Sequence, residues 1–152
     1  VYKRQSGVTA QLAKTLAQAV NGDLYEIKPE QPYTAADLDW RNKNSRSSME
    51  MNDKSFRPAV SGKLDNISEY DVIYVGFPIW WYVAPTIINT FLEQYDLSGK
   101  TVIPFATSGG SGMGNTNAEL APSCKGAVLK AGKRFSASAS TSELKKWAES
   151  LQ

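Results

Sequence analysis

The chain of 152 residues has the length of one domain, and its hydrophobic fraction of 41% is enough for a buried core. The 17 basic and 15 acidic residues leave a net charge of +2, which argues against a nucleic-acid-binding surface. The chain has no histidine, which excludes Ser-His-Asp and Cys-His catalysis and most zinc sites. It has one cysteine, Cys124, which excludes an internal disulfide.

Helix and strand patterns alternate in the first half of the chain. Apolar residues at helical spacing predict a helix over 8–20, and the alternation over 24–28 predicts a strand near a sheet edge. A long inserted connection follows over 33–66. A capping-box pattern predicts a short helix over 34–40, and a second short helix is predicted within 47–56.

The second half continues the alternation and ends in a helix. The predicted elements are a buried strand over 71–77, a helix over 85–95, a strand over 101–106, a short helix over 118–125, a strand within 127–137 and a last helix from Ser140. This order predicts a single α/β domain, 1–152, with a parallel sheet covered by helices on both faces.

Three loops at one edge of this sheet carry ligand-binding chemistry. Ser6-Gly7-Val8-Thr9 precedes the first helix, where free N–H and hydroxyl groups attract anions, although an ordinary helix cap fits equally well. Residues 77–83 place two tryptophans and a tyrosine after a buried strand, either as a wall for a flat ligand or as rings packed under a helix. The glycines of 107–116 either allow a ligand to approach the backbone closely or simply make this segment a flexible surface loop. Together the loops match a phosphorylated, planar, polar heterocycle.

The motifs Pro-x-Trp-Trp at 78–81 and Thr-Ser-Gly-Gly-Ser-Gly-x-Gly at 107–114 resemble those of the flavodoxin family, and the resemblance runs from about Ser6 to Gln152. It implies a doubly wound, five-stranded parallel sheet in the order 2-1-3-4-5 and bound flavin mononucleotide (FMN). It also implies three sets of cofactor-binding residues: Ser6, Gly7, Val8 and Thr9 at the phosphate; Pro78, Ile79, Trp80 and Trp81 along the isoalloxazine ring, one Trp stacking on it; and Thr107, Ser108, Gly109 and Gly110 at the polar edge of the ring.

Residues 1–5 depart from the pattern of this family. The family has an apolar first strand and a hydroxyl residue two positions before Ser6, whereas this segment carries Lys3 and Arg4. The same five residues match an in-frame translation of a common sequencing-library transposase adapter, so we hypothesise that they are not native. We expect a version with an apolar strand there to fold more stably and to retain FMN better.

Three functions stay open at this point. The first is electron transfer between redox partner proteins through bound FMN, which needs no catalytic side chain. The second is an NAD(P)H-dependent FMN quinone or nitro reductase, in which Arg41, Lys43 and Arg46 meet a nucleotide phosphate. The third is a flavin-free module for another phosphorylated ligand. We expect no metal and no nucleic-acid partner. We expect no membrane span either, since no apolar run reaches the ~20 residues required. The expected location is the cytoplasm.

Overall fold

A parallel sheet flanked by five α-helices organises residues 7–152, the part of the chain that the computed structural model describes. The helices are α1 (Val8–Val20), α2 (Arg46–Asn52), α3 (Thr86–Glu93), α4 (Thr116–Leu120) and α5 (Thr141–Glu149). The strands are β1 (Lys28–Pro29), β2 (Val60–Ser61), β3 (Val72–Pro78), β4 (Thr101–Thr107), β5 (Val128–Leu129) and β6 (Lys133–Arg134). No helix in the described range is long and apolar enough to cross a membrane.

The sheet is built around the long parallel pair of β3 and β4. Their register runs from Val72 opposite Thr101 to Pro78 opposite Thr107. The other edge of β4 pairs in parallel with β5 and β6, the two parts of the strand predicted within 127–137. The α/β parallel architecture is therefore confirmed, and the last three strands of the predicted order lie side by side.

Two apolar cores cover the two faces of this sheet. Neighbouring β4 residues alternate between them: Val102 and Ala106 join the core under α3, and Ile103 and Phe105 join the core under α1 and α5. Alternation along one strand means that β4 is buried on both faces, which explains its continuous apolar sequence. The predicted helix over 8–20 is confirmed at both ends.

The predicted strand over 24–28 contributes little to the described sheet. Only its last residue belongs to a described strand, Lys28–Pro29, which pairs antiparallel with Val60–Ser61. In the predicted order 2-1-3-4-5 its neighbour in the main sheet is the first strand. That strand, and the hypothesis that its residues are not native, fall on residues 1–5 and lie outside the described residues.

The helix predicted over 34–40 is wrong, although its capping box forms. The Thr34 N–H donates to the Asp37 carboxylate at 2.8 Å, and the Asp37 N–H donates to Thr34 Oγ1 at 3.2 Å. The Asp37 carbonyl then accepts from the N–H of Ser47, at 3.0 Å. A tertiary hydrogen bond thus takes the carbonyl that would continue the helix, and the segment is a turn.

Candidate functional site

The three candidate loops meet at the carboxyl edge of β3 and β4. The Ile79 N–H donates to the Thr107 carbonyl at 2.9 Å, which holds the aromatic loop against the end of β4. The hydroxyls of Thr9 and Thr107 lie 2.8 Å apart, and both side chains are buried. Thr107 therefore joins the first turn of α1, the aromatic loop and the glycine-rich loop. This edge is where open α/β sheets bind ligands.

The first turn of α1 is suited to an anion. Gly7, the N-cap residue, has a φ of 67°, no side chain caps it, and the first turn contains no acidic residue. The leading N–H groups of a helix have no intrahelical acceptor, and the helix dipole adds positive potential there. Val8 is half-buried. Ser6, the fourth residue expected at the phosphate, lies outside the described residues.

The aromatic loop is a two-residue hairpin with an unusual backbone. Trp80 and Val83 exchange both N–H to carbonyl hydrogen bonds, at 2.9 and 3.1 Å. The turn residues Trp81 and Tyr82 have φ values of 45° and 68°, a conformation that normally selects Asn or Gly. Each bulky residue there costs on the order of 1 kcal/mol. Strain in an exposed aromatic pair points to a function for the position of these rings.

The three rings of this hairpin do not share one environment. Trp80 is 8% exposed and packs its ring edge-on to Tyr33, with the centroids 5.5 Å apart. Trp81 and Tyr82 are 43% and 69% exposed. Of the two tryptophans expected along the ring of a cofactor, only Trp81 is accessible enough to offer a face, whereas Trp80 anchors the base of the hairpin.

A cluster in the inserted connection supports that anchor. The Tyr33 hydroxyl donates to Glu50 at 2.5 Å, and Arg46 donates to the other oxygen of the same carboxylate at 2.9 Å. The guanidinium also lies 4.0 Å from the centre of the Tyr33 ring and donates to the Gln31 carbonyl at 2.7 Å. Sequence reasoning missed this cluster. The i,i+4 spacing of Arg46 and Glu50 was a usable signal for their ion pair, but nothing in the sequence links them to Tyr33.

The glycine-rich loop has an open part and a packed part. A Cβ built on Gly109, Gly110 or Gly112 would meet nothing within 4 Å, so these backbone segments are accessible to a ligand. The Ser108 hydroxyl closes the loop by donating to the Ser111 carbonyl. Gly114, in contrast, has a φ of 51°, and a Cβ there would lie 2.2 Å from the Tyr82 carbonyl oxygen. The loop therefore rests on the aromatic hairpin at Gly114.

We expect Gly114→Ala to destabilise the protein by about 2 kcal/mol, because the new methyl meets a backbone carbonyl at a left-handed position. Thermal unfolding of the flavin-free protein measures this effect. Gly112→Ala, in the same loop but in open space, is the matched control and should unfold like the parent. Equal melting temperatures for the two variants would contradict the proposed contact between loop and hairpin.

The aromatic loop and the glycine-rich loop carry no charged side chain. Neither 77–83 nor 107–116 contains a charged residue. A cavity of about 470 Å³ adjoins Trp81, Tyr82 and Gly114, and the charged residues that line it, Lys54 and Glu119, form an ion pair at 2.6 Å. The aromatic and glycine-rich loops can therefore contact a polar, uncharged ring system without burying a charged side chain of their own.

Among the described residues, neither a reactive thiol nor a metal-binding cluster is found at this site. Cys124 is buried, and burial raises the pKa of its thiol to about 11, which keeps the thiol protonated and unreactive near neutral pH. Residues 7–152 also contain no group of three or more side chains that could hold a metal ion. The chemistry that these residues support is binding and orientation.

Comparison with known proteins connects this geometry to a family. The sequence model of the flavodoxin family matches residues 1–151. The structure of a proposed flavoprotein from Bacteroides eggerthii DSM 20697 is similar, with 49% identity and a TM-score of 0.92, over 99% of this chain and 94% of that one. A flavoprotein from Lactobacillus acidophilus NCFM, solved in complex with FMN, shares the fold, with 24% identity and a TM-score of 0.69 over 97% and 95% of the two chains.

A curated relative is more distant. The uncharacterized NAD(P)H oxidoreductase YcaK of Escherichia coli K12 is 26% identical over an alignment 102 residues long, and the match covers 61% of this chain. The match spans 47% of the length of that relative, which is about half of it.

Proposed function

Because the chain belongs to the flavodoxin family, we propose that it binds FMN and carries electrons between protein partners. The observation that carries this proposal is the convergence of three loops at Thr107. The first turn of α1, the exposed Trp81 and the open backbone of Gly109 and Gly110 lie at one sheet edge. They offer an anion site, an aromatic wall and hydrogen-bonding groups in one place.

The residues present fit the three parts of FMN. The first turn of α1 has no acidic residue to repel a phosphate. Trp81 offers an accessible aromatic surface for the isoalloxazine ring. The backbone of 107–110 supplies donors and acceptors for the polar edge of the ring. The FMN complex of the L. acidophilus flavoprotein, which has the same fold, supports this choice of cofactor.

The protein's own residues bind and orient the cofactor, and the flavin supplies reversible electron transfer. The hydrogen bond between Thr9 and Thr107 fixes the anion site relative to the aromatic hairpin, because the two residues lie on different elements. Trp81 excludes water from the surface that it covers. No acid or base is required, which agrees with a chain that has no histidine and an inert Cys124.

An NAD(P)H-dependent oxidoreductase is the second candidate, and the similarity to YcaK favours it. Three cations of the inserted connection were expected near a nucleotide phosphate. Arg46 is held by Glu50 and the Gln31 carbonyl, and Arg41 pairs with Asp39 at 3.2 Å. Of the three, only Lys43 has no ion pair among the described residues. A nucleotide phosphate would therefore have to displace two partners of Arg46, whereas the Arg41 pair is exposed and weak, so among these cations only Arg46 favours the carrier.

One experiment separates these functions. The protein is incubated with FMN, passed through a desalting column and examined by visible absorption before and after addition of NADPH under air. We expect a yellow protein whose spectrum NADPH does not change. Bleaching by NADPH, or turnover with an added quinone, would replace the carrier with the oxidoreductase. A colourless protein would overturn both and leave a module for another phosphorylated ligand.

A further inference from the structure

The positive charge of this chain is concentrated in one segment. Between Glu119 and Glu143 the sequence has four basic residues and no acidic residue. The four are Lys125, Lys130, Lys133 and Arg134. Without them the 17 basic residues of the chain fall to 13, which is fewer than its 15 acidic residues. The net positive charge therefore depends on this segment.

Two of these cations lie on β6, near the edge of the sheet that carries the candidate site. In the parallel register of β4 and β6, Arg134 is opposite Ala106, one residue before Thr107. Neighbouring strands are about 5 Å apart. Because Thr107 joins the three loops, Lys133 and Arg134 lie beside their meeting point. Lys125 precedes β5, whose first residue is opposite the start of β4, so it lies toward the other end of the sheet.

The third cation, Lys130, belongs to a connection that packs against the glycine-rich loop. The side-chain amide of Asn117 donates to the Lys130 carbonyl at 2.7 Å, and its oxygen accepts from the Gly132 N–H at 3.2 Å. A Cβ built on Gly132 would lie 2.3 Å from Cε of Met113, a residue of that loop. The connection between β5 and β6 is therefore in contact with the loop proposed to meet the polar edge of the flavin ring.

Other described residues do not compensate the charges of these three cations. Lys133 and Arg134 are exposed, and Lys130 is half-buried. None of the three forms a salt bridge with another residue of 7–152. The Lys133 ammonium lies 4.9 Å from the centre of the Phe135 ring, which positions the side chain without neutralising it. Together the three residues form a basic surface beside the glycine-rich loop.

We infer that this basic surface, together with the exposed Tyr82, docks the acidic face of an electron-transfer protein. The inference rests on the proposed function, because it names the class of partner that the carrier meets. Tyr82 is 69% exposed, and its carbonyl lies against Gly114, next to the loop residue that contacts Gly132. Protein interfaces combine aromatic side chains with charges complementary to the partner. A partner that touches both would therefore reach the loop between them.

An acidic protein fits this surface better than a nucleic acid does. Opposite charges speed the encounter of two proteins and orient them. A nucleic acid is a long polyanion, and its affinity grows with the number of phosphates that basic residues neutralise. Three cations neutralise few phosphates, and outside 120–142 the chain has more acidic than basic residues, which repel the remaining phosphates. A compact acidic patch meets the cations alone.

An NMR titration of the isotope-labelled, FMN-loaded protein with an acidic iron–sulfur ferredoxin tests the docking surface. We expect the amide signals of 109–114 and 130–134 to shift. The affinity should fall by about tenfold when the salt concentration rises from ~20 to ~200 mM, because salt screens exposed charges. A basic cytochrome c, used as the opposite probe, should bind at least about tenfold more weakly than the ferredoxin.

Two double variants separate the basic surface from net charge. Lys133→Gln/Arg134→Gln should weaken ferredoxin binding by about tenfold, because it removes two charges next to the partner. Lys28→Gln/Lys63→Gln is the matched control, since it also removes two exposed cations but lies outside this segment. Its affinity should stay within about twofold of that of the parent, because distant exposed charges are screened.

Several outcomes would overturn the docking surface. They are a lack of ferredoxin binding, signal shifts confined to other residues, equal affinity for cytochrome c, and equal weakening by the two double variants. Tighter binding of a DNA duplex of ~20 base pairs than of the ferredoxin would replace the protein partner with a nucleic acid. The same titration without FMN reports docking alone, and the visible spectrum reports FMN binding alone. A failure of the proposed function is therefore distinguishable from a failure of the docking surface.

Discussion

Replacing Trp81 with glycine should weaken FMN binding by about tenfold to hundredfold, while the flavin-free protein stays within about 1 kcal/mol of the stability of the parent. The loss reflects the stacking of one aromatic side chain on a flat ring, which contributes about 1–3 kcal/mol. The small effect on stability reflects two opposing terms. Glycine removes the apolar contacts of the side chain but accepts the φ of 45° without strain.

Two further variants make the Trp81 result specific. Trp81→Ala also lacks the ring but keeps a Cβ at the left-handed position, so it should be less stable than Trp81→Gly by about 1 kcal/mol. Trp40→Ala removes an exposed tryptophan of the inserted connection and should bind FMN like the parent. Flavin fluorescence quenching measures affinity, and urea unfolding measures stability. Parent-like FMN binding by Trp81→Gly would show that Trp81 is not the stacking residue.

Gly76→Ala should destabilise the protein by about 3 kcal/mol, the largest stability change that we expect from a single methyl. Gly76 and Phe105 are partners in the parallel register of β3 and β4. A Cβ on Gly76 would lie 2.2 Å from the ring of Phe105, which is fully buried under α1 and α5. The ring cannot move aside without disturbing that core. Chemical denaturation measures the loss.

A control and a rescue separate this clash from a general effect of alanine. Gly109→Ala adds the same methyl where nothing lies within 4 Å, and it should unfold like the parent. Phe105→Leu, combined with Gly76→Ala, should cost less than the sum of the single changes, because the smaller side chain makes room for the methyl. Equal stability of Gly76→Ala and Gly109→Ala would contradict the close packing of β3 on β4.

The sequence predicts best those elements whose pattern depends on burial. The helix over 8–20 and the two central strands follow from apolar spacing, since each buries a fixed face or both faces. The capping box at Thr34 forms its own hydrogen bonds but starts no helix, because the Asp37 carbonyl bonds to Ser47 from the next segment. Local signals predict local contacts and miss tertiary competition for the same atoms.

The candidate site shows the same limit. The sequence motifs predict that the three loops form one site, but they do not predict which of Trp80 and Trp81 is exposed. Two neighbouring residues of the same type carry no sequence signal that distinguishes their exposure. The tight hairpin sets their exposure, since it packs Trp80 against Tyr33 and leaves Trp81 partly exposed. The contact of Tyr33 with Glu50 and Arg46 joins residues that no spacing rule relates. Such contacts exist only once the chain has folded.

A calorimetric titration of the protein with FMN and, in parallel, with riboflavin, which has the same ring but no phosphate, tests directly whether the three loops form an FMN site. We expect one FMN site per chain and an affinity for riboflavin at least about tenfold lower, because the first turn of α1 recognises the phosphate. Absence of FMN binding, or equal affinities for the two flavins, would contradict an FMN site formed by these loops.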